Sequence, residues 1–140
     1  MILRIDHVGL VTDDPAAVGA SLAELGLRPA GGGTADGYGV ACEFWRHDGP
    51  PGAPAVEVVS PLTDGSAVTG HLARKGPGLY HLAFEVDDLV AELARLRAAG
   101  FVAVDRQPCA GALPGMRVAF LYLARPADLL VELVQYAAAE

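Results

Sequence analysis

Two histidines and two glutamates recur at matching places in the two halves of this sequence, and together they could hold a metal ion. His7 and His81 are 74 residues apart, and Glu57 and Glu132 are 75 apart. Imidazole nitrogen and carboxylate oxygen form a mixed set of ligands that suits Zn, Ni, Co, Mn or Fe(II). The pattern predicts one divalent metal site built from these four residues.

The two glutamates are the stronger part of this pattern. Glu57 interrupts the apolar segment 55–59, and Glu132 interrupts the apolar segment 129–134. Strands that are apolar on both faces are covered on both faces, and a buried carboxylate there must be paired or bound to a metal. An ion pair with arginine is the alternative for each glutamate. A lone histidine is more often a surface or core residue than a ligand, so the prediction rests on all four residues recurring in register.

The histidines open an internal repeat. Residues 7–26 align without a gap to residues 81–100, with seven identities in twenty positions. A second match joins Val56-Glu57-Val58 to Val131-Glu132-Leu133, one residue out of that register. The other two histidines, His47 and His71, fall outside the repeat beside loop signals, and we expect both to be solvated.

Each half has the same order of predicted elements, and that order must position the four side chains. A strand over Ile2–Val11 leads into an N-cap at Asp13 or Asp14 and a helix that stops at Gly26. The second half repeats this with a strand over Leu79–Val86, a cap at Asp87 or Asp88 and a stop at Gly100. Three shorter strands follow in each half; they are predicted at 27–30, 38–45 and 55–59, and at 102–105, 116–123 and 129–135.

The predicted fold is a single α+β domain over residues 1–140, with two βαβββ repeats related by a pseudo-twofold axis. Half one covers residues 1–62, a connecting helix lies within 63–78, and half two covers 79–136. Each half would present a curved sheet with a helix on one side. The cleft between the sheets, with the metal at its centre, is the natural ligand site.

Composition excludes several classes of partner. The formal charge of −7 and the lack of a Lys/Arg run argue against a nucleic-acid partner. Apolar runs end well before the roughly 20 residues that a membrane-spanning helix needs, and the N-terminus reads as a strand rather than a signal peptide. Two separated cysteines, Cys42 and Cys109, indicate reduced thiols. We expect a soluble cytoplasmic protein with no membrane partner.

Through these residues the chain resembles the vicinal oxygen chelate superfamily of glyoxalases, bleomycin resistance proteins and dioxygenases. Within it, the chain most resembles the methylmalonyl-CoA epimerases, and the resemblance spans nearly the whole length. The motifs that carry it are Ile5-Asp6-His7-Val8-Gly9, Val56 to Leu62, Ser66-Ala67-Val68, Lys75 to Gly78, His81 to Asp88, Phe120-Leu121 and Val131-Glu132-Leu133.

This resemblance implies a divalent metal, Co, Mn, Ni, Zn or Fe(II), held by the same four residues that the repeat selects: His7, Glu57, His81 and Glu132. It implies a small-molecule substrate that chelates the metal through adjacent oxygens. For an acyl-CoA these are the thioester carbonyl and the neighbouring carboxylate, and loss of the α-proton would give a metal-stabilised enolate. It also implies a homodimer.

The expected catalytic base departs from the family pattern. The epimerases resemble one another in a Gly-Val-x-Glu element whose Glu is a base, but Gly39-Val40-Ala41-Cys42-Glu43 places the carboxylate one residue late. A one-residue slip points a strand side chain to the opposite face, although a β-bulge can restore its direction. Either Glu43 acts from a bulged strand, or Cys42 faces the cleft as a small buried hydrophobe. Glu43 and Glu132 are the predicted catalytic residues.

Other departures bear on the substrate. Tyr80 replaces the first residue of a His-His pair, and Tyr122-Leu123 replaces a His-Pro pair. Both tyrosines are expected near the pocket, and they could mark a substrate other than methylmalonyl-CoA. Ala20-Ser21 stands where the family commonly has Phe-Tyr.

Three alternative functions stay open. A glyoxalase I-like lyase, or an enzyme of specialised metabolism, would use the same ligands, although Arg125-Pro126-Ala127-Asp128 replaces the usual glyoxalase Asp-Pro-Asp-Gly. An Fe(II) enzyme would use only His7, His81 and Glu132 for oxygen chemistry. A metal-free protein that sequesters a drug is the alternative of another class, and retention of all four ligands argues against it.

Overall fold

The computed structural model describes residues 1–50 and 52–138, which contain two successive copies of one element order. The first copy consists of β1 (Ile2–Val11), α1 (Pro15–Glu24), β2 (Arg28–Ala35), β3 (Val40–Arg46) and β4 (Ala55–Pro61). A short helix, α2 (Thr69–Lys75), leads to β5 (Gly78–Val86), α3 (Leu89–Ala98), β6 (Val102–Ala103), β7 (Cys109–Ala110), β8 (Met116–Leu123) and β9 (Leu129–Tyr136). The βαβββ repeat is confirmed, with β7 and a 3₁₀ turn at Asp36–Tyr38 added to the predicted elements.

All nine strands of the described residues belong to one continuous mixed sheet. Eight of them follow the order β2-β3-β4-β1-β5-β9-β8-β6, and β7 pairs with β8. Strand β1 is parallel to β4, β5 is parallel to β9, and β1 meets β5 antiparallel at the centre. A dyad between β1 and β5 therefore exchanges equivalent strands, as predicted. The halves share one sheet, so the cleft lies on one face of it rather than between two sheets.

Strand β2 is longer than predicted because the glycines at its centre pair with β3 instead of forming a turn. Gly32 lies opposite Glu43 and Gly33 opposite Cys42 in β3. A Cβ on Gly32 would lie 2.5 Å from the carbonyl oxygen of Cys42. Only glycine permits this close approach of two backbones.

Both long helices begin at equivalent aspartates. Asp14 accepts a hydrogen bond from the backbone N–H of Ala17 at 3.2 Å, and Asp88 accepts one from Ala91 at 3.1 Å. Such a cap satisfies one of the free N–H groups at a helix start and stabilises the helix by about 1 kcal/mol. The structure therefore selects the second aspartate of each predicted pair.

The two long helices, α1 and α3, cover one face of the sheet and leave the other face to the cleft. Leu22 of α1 packs with Trp45 and Val58. Leu89, Leu93 and Leu96 of α3 pack with a cluster on β8 and β9 formed by Ala119, Leu121, Val131 and Leu133. Because side chains alternate along a strand, residues next to these in β4, β8 and β9 point to the cleft. Within the described residues, no helix is long and apolar enough to cross a membrane.

Candidate metal centre and active site

His7, Glu57, His81 and Glu132 meet at the centre of the sheet. They lie on the adjacent strands β1, β4, β5 and β9, one on each. His7 Nε2 is 3.0 Å from His81 Nε2 and 2.9 Å from Glu132 Oε1. Glu57 Oε1 is 3.6 Å from His7 Nε2 and 3.4 Å from His81 Nε2. The tertiary structure thus brings together the four residues that the repeat selects.

These four residues are buried, and within the described ranges their carboxylates pair only with histidines. His7 is 0% exposed, and the other three are each 4% exposed. Among the described residues, the ion-pairing partners of Glu57 and Glu132 within 4.0 Å are His7 and His81. The alternative in which arginine neutralises each glutamate is wrong for the described part of the chain.

Burial and mutual repulsion shift the pKa values of these groups. Burial, followed by the charge of Glu132, raises the pKa of Glu57 well above its usual range. Burial lowers the pKa of His81 to about 4. Burial also lowers the pKa of His7, but hydrogen bonds with Asp6 and Glu132 outweigh it and raise that pKa to about 10. A divalent cation among these atoms would offset the repulsion between the two carboxylates.

The spacing of the donor atoms fits a metal ion. Ligands bound at about 2.1 Å lie about 3.0 to 3.5 Å apart in octahedral or tetrahedral sites, and the separations here run from 2.9 to 3.7 Å. Glu132 Oε1 is buried and lies 2.9 Å from His7 Nε2. His7, His81 and Glu132 form a set whose ligand atoms all lie within 4.8 Å of one another. This set, with Glu57 beside it, can hold one ion.

Gly9 makes room for one of the imidazoles. Gly9 lies opposite His81 in the pairing of β1 with β5. A Cβ on Gly9 would lie 2.1 Å from His81 Cε1 and 2.3 Å from His81 Nδ1. Any side chain at position 9 would displace the ring from the centre.

Asp6 and Tyr136 adjoin the candidate metal centre, and the sequence pattern predicts a role for neither. The register between β1 and β5 shifts between Ile5 and His7, which leaves Asp6 as an extra residue in β1. Asp6 Oδ2 lies 2.6 Å from His7 Nδ1 and accepts a hydrogen bond from the Tyr136 hydroxyl at 2.9 Å. With its Nδ1–H held by a carboxylate, His7 would offer Nε2 to a metal ion at the centre, which would take the place of the proton on that nitrogen. The sequence feature that could have indicated Asp6 is a carboxylate next to a histidine in an apolar strand.

An apolar cavity of about 150 Å³ opens over the centre. Glu57, His81 and Glu132 supply its acidic and basic side chains, and no lysine or arginine is among its described lining residues. The remaining walls are aromatic or aliphatic and include Tyr38, Cys42, Val59, Tyr80, Met116 and Phe120. The cavity therefore suits a ligand that is apolar except where it meets the four residues.

Glu43 does not face this cavity, which corrects its predicted role as a base. Strand β3 pairs with β4 in an unbroken register from Val40 to Trp45, so no bulge re-aims the side chain. Glu43 is exposed and accepts a hydrogen bond from Trp45 Nε1 at 2.6 Å. Cys42 is buried and lines the cavity. Of the two alternatives, the structure has Cys42 facing the cleft.

Of the two tyrosines that depart from the family pattern, one lines the cavity and the other does not. Tyr80 lines the cavity, and its ring centroid lies 4.8 Å from that of His71 and 5.4 Å from that of His81. Tyr122 instead donates a hydrogen bond to Asp128 and is not among the cavity-lining residues. His47 is exposed, as predicted. His71 is half-buried beside the ring of Tyr80, so it is partly solvated.

Comparison with known proteins identifies relatives along the whole chain. Residues 6–120 match the model of the Glyoxalase/Bleomycin resistance protein/Dioxygenase superfamily. An ethylmalonyl-CoA/methylmalonyl-CoA epimerase from Cereibacter sphaeroides is 32% identical over 139 residues, covering 96% of this chain and 99% of that protein. An uncharacterized Bacillus subtilis protein, YqjC, is 30% identical over 135 residues, covering 94% of this chain and 91% of that protein.

Solved structures share the fold. Methylmalonyl-CoA epimerase from Mycobacterium tuberculosis has a TM-score of 0.87 at 27% identity, covering 98% of this chain and 90% of that one. A variant of the Streptomyces coelicolor enzyme in complex with 2-nitronate-propionyl-CoA has a TM-score of 0.86 at 30% identity, covering 99% and 100%. A methylmalonyl-CoA epimerase in complex with methylmalonyl-CoA and NH4+ has a TM-score of 0.86 at 30% identity, covering 100% and 99%. The predicted fold class is confirmed.

Proposed function

The chain belongs to the glyoxalase/bleomycin resistance/dioxygenase superfamily, and we propose that within it the protein is a metal-dependent epimerase or isomerase of the methylmalonyl-CoA epimerase type. The observation that carries this proposal is the convergence of His7, Glu57, His81 and Glu132 beneath an apolar cavity. Relatives that match over nearly the whole chain are named as epimerases of ethylmalonyl-CoA and methylmalonyl-CoA. The proposed reaction moves a proton on the carbon next to a carbonyl.

The four converging residues would hold one divalent cation, with Co, Mn, Ni, Zn and Fe(II) as candidates. When bound, the cation would supply Lewis-acid stabilisation of negative charge on the substrate oxygens. Asp6 would keep His7 in the tautomer that offers Nε2. The apolar walls would exclude water, which strengthens every electrostatic interaction at the floor.

Proton transfer requires carriers on the two sides of the substrate. Glu132 comes from β9 in the second half, while Cys42 comes from β3 in the first half, opposite Val59 and diagonal to Glu57. We infer that the Glu132 carboxylate removes the α-proton. Burial raises the pKa of the Cys42 thiol well above its usual range, so the thiol stays protonated and can donate its proton to the opposite face of the carbon. Exchange with solvent then restores both groups.

The proposed substrate is a small acyl-CoA with an acidic α-hydrogen, such as a 2-substituted malonyl-CoA. Two of the matching structures hold an acyl-CoA compound. The aliphatic walls can take an alkyl substituent, and the lack of lysine and arginine in the described lining leaves the cation to balance a substrate carboxylate. Tyr80, which departs from the family pattern, would contact that substituent and favour a substrate different from methylmalonyl-CoA.

Deuterium wash-in at C2 tests this function. Cobalt-loaded protein is incubated in D2O with methylmalonyl-CoA, and in parallel with ethylmalonyl-CoA, and deuterium is measured by mass spectrometry. We expect incorporation well above that with metal-free protein, and we expect His81→Ala to abolish it. Incorporation no higher than that of metal-free protein with both substrates would overturn the epimerase proposal.

Oxygen chemistry on Fe(II) is a second candidate, favoured by one observation. The three residues whose ligand atoms all lie within 4.8 Å, His7, His81 and Glu132, are the two-histidine, one-carboxylate set of non-haem Fe(II) oxygenases. Glu57 would then stay uncoordinated. Oxygen uptake that requires ferrous loading, without deuterium exchange, would decide for this candidate. Turnover of a glutathione hemithioacetal would instead decide for a glyoxalase I-like lyase.

We also propose a homodimer, as the family resemblance implies, and a cytoplasmic location. Sedimentation velocity of the purified protein measures the oligomeric state directly. A monomer at all concentrations tested would contradict the dimer without touching the proposed chemistry.

A further inference from the structure

Three arginines surround a second depression that shares no residue with the proposed metal centre. Arg97, Arg106 and Arg117 line a space of about 370 Å³. The rest of its wall comes from α3 and from the segment before β7, namely Val90, Leu93, Ala94, Gln107 and Pro108. The depression lies against α3, on the face of the sheet that the cavity does not use.

Each arginine reaches the depression from a different element. Arg97 continues the stripe of Val90, Leu93 and Ala94 along one side of α3, since residues three, four and seven apart share a helix face. Arg117 points away from the cavity because its neighbours in β8, Met116 and Val118, line the cavity and side chains alternate along a strand. Tertiary structure thus concentrates three guanidinium groups that the sequence keeps apart.

In the part of the chain that the structure describes, no carboxylate neutralises the three guanidinium groups. Among the described residues, none of the three arginines has an acidic partner within 4.0 Å, and all three side chains are exposed. The neighbouring Asp105 is engaged elsewhere, because it accepts hydrogen bonds from Tyr38 at 2.6 Å and from the backbone of Phe120 at 2.9 Å.

This clustering stands out in an acidic protein. The chain has 10 Lys and Arg against 17 Asp and Glu, yet three arginines meet at one depression without a counter-ion from the described chain. Guanidinium groups present forked N–H donors that match phosphate oxygens two at a time. The exposed side chain of Val90 and the ring of Pro108 add apolar surface that an aromatic base can cover. The chemistry fits a nucleotide with more than one phosphate.

One short segment joins this depression to the cavity. Val104 lines the cavity, whereas Arg106, Gln107 and Pro108 line the depression. Two residues span at most about 7 Å of extended chain, which is shorter than an extended pantetheine arm. The depression therefore adjoins the rim of the cavity at this segment.

We propose that Arg97, Arg106 and Arg117 bind the phosphate groups of a CoA thioester. The identity of this ligand rests on the proposed function, whereas the recognition of a nucleotide phosphate does not. The pantetheine arm would run along residues 104–108 from the cavity to the three arginines.

Titration with adenosine 3′,5′-bisphosphate, the nucleotide part of CoA without pantetheine, tests the site apart from the metal centre. We expect saturable one-to-one binding in calorimetry, weakened at least about tenfold by Arg117→Ala and by Arg97→Ala. Arg28→Ala is the matched control, because Arg28 is also exposed but pairs with Asp48 on β2's side of the molecule. Lack of binding, or an equal loss in the control, would overturn the proposal. Thermal melts of the variants exclude a folding defect.

Kinetics distinguish failure of this site from failure of the proposed function. Deuterium exchange is compared for methylmalonyl-CoA and methylmalonyl-pantetheine, and we expect Arg117→Ala to raise KM for the CoA substrate much more than for the pantetheine substrate. Equal KM values for the two substrates in the unmodified protein would overturn the arginine site while leaving the epimerase proposal standing. Arginine-dependent bisphosphate binding without exchange on either substrate would support the phosphate site and reject the epimerase.

Discussion

Asp6 and His7 are adjacent in β1, yet both are fully buried and joined side chain to side chain, with His7 Nδ1 2.6 Å from Asp6 Oδ2. Consecutive residues of a regular strand point to opposite faces. The register shift between Ile5 and His7 breaks that rule locally and lets the two side chains meet. This contact orients one of the four residues of the candidate metal centre.

Asp6→Asn is therefore expected to weaken metal binding by about 10- to 100-fold, because an amide holds the His7 tautomer less firmly than a carboxylate. Titration of metal-free protein with Co(II), followed by visible absorption, measures the affinity. Arg4 donates hydrogen bonds to Asp6 at 3.0 Å and to Glu85 at 2.6 Å. Glu85→Gln is therefore the control, because Glu85 pairs with Arg4 but with no histidine among the described residues. Equal losses in both variants would attribute the effect to the Arg4 network.

Gly9→Ala should abolish stoichiometric metal, because the new Cβ would occupy the space of the His81 ring. Overpacking of this kind also lowers the free energy of unfolding by about 1 to 3 kcal/mol. Metal analysis and urea denaturation measure the two effects. Gly65→Ala is the control, as nothing lies within 4 Å of its added Cβ. Full metal content in Gly9→Ala would show that His81 is not needed as a ligand.

His81→Ala removes a proposed ligand directly, and we expect the purified protein to lose its metal. Elemental analysis after metal loading and gel filtration gives the metal-to-protein ratio. His47→Ala removes an exposed histidine and should leave that ratio unchanged. A ratio in His81→Ala equal to that of the unmodified protein would refute the site.

Separate substitutions of Cys42 and Glu43 test which of these neighbours in β3 takes part in proton transfer. Cys42→Ala should lower kcat for exchange by about 10²- to 10⁴-fold, the range for loss of a proton carrier. Glu43→Gln should retain most of the activity, because Glu43 is exposed and bonded to Trp45. The reverse result, with Glu43→Gln inactive and Cys42→Ala active, would require β3 to be bulged in solution.

The lowered pKa of Glu92 predicts how the free energy of unfolding depends on pH. Its hydrogen bond from Arg95, followed by that from the N-terminal ammonium, lowers the pKa of Glu92 to about 2. A carboxylate whose pKa is lower in the folded state than in the unfolded state stabilises the fold at neutral pH, and this contribution is lost as pH falls from about 4.5 towards 2.

Glu92→Gln should therefore lower the free energy of unfolding by about 1 kcal/mol at neutral pH and flatten its decline in acid. Urea denaturation at several pH values between neutral and pH 2 measures both changes. Glu24→Gln, at an exposed site of α1, is the control. A decline in acid as steep as that of the unmodified protein would contradict the assignment.

Much of the fold and the proposed ligand set follow from the sequence alone. Strands β1 and β8 have the predicted bounds, and the repeat determined which strands are equivalent. Glu57 and Glu132 could be recognised because a carboxylate inside an apolar strand is costly to bury without a partner. These are local signals, since periodicity, caps and a single charged residue in an apolar segment can be read within a few neighbouring positions.

Only the tertiary structure decided how side chains from distant segments combine. The unbroken pairing of β3 with β4 turned Cys42 to the cavity and Glu43 away from it. The pairing of β1 with β5 brought the Asp6 carboxylate into contact with the His7 ring and packed the imidazole of His81 against Gly9. Register and bulges depend on contacts between strands that lie far apart in the chain, and one residue of shift exchanges the two faces of a strand. The four proposed ligands were therefore visible in the sequence, whereas the groups that orient them required the assembled sheet.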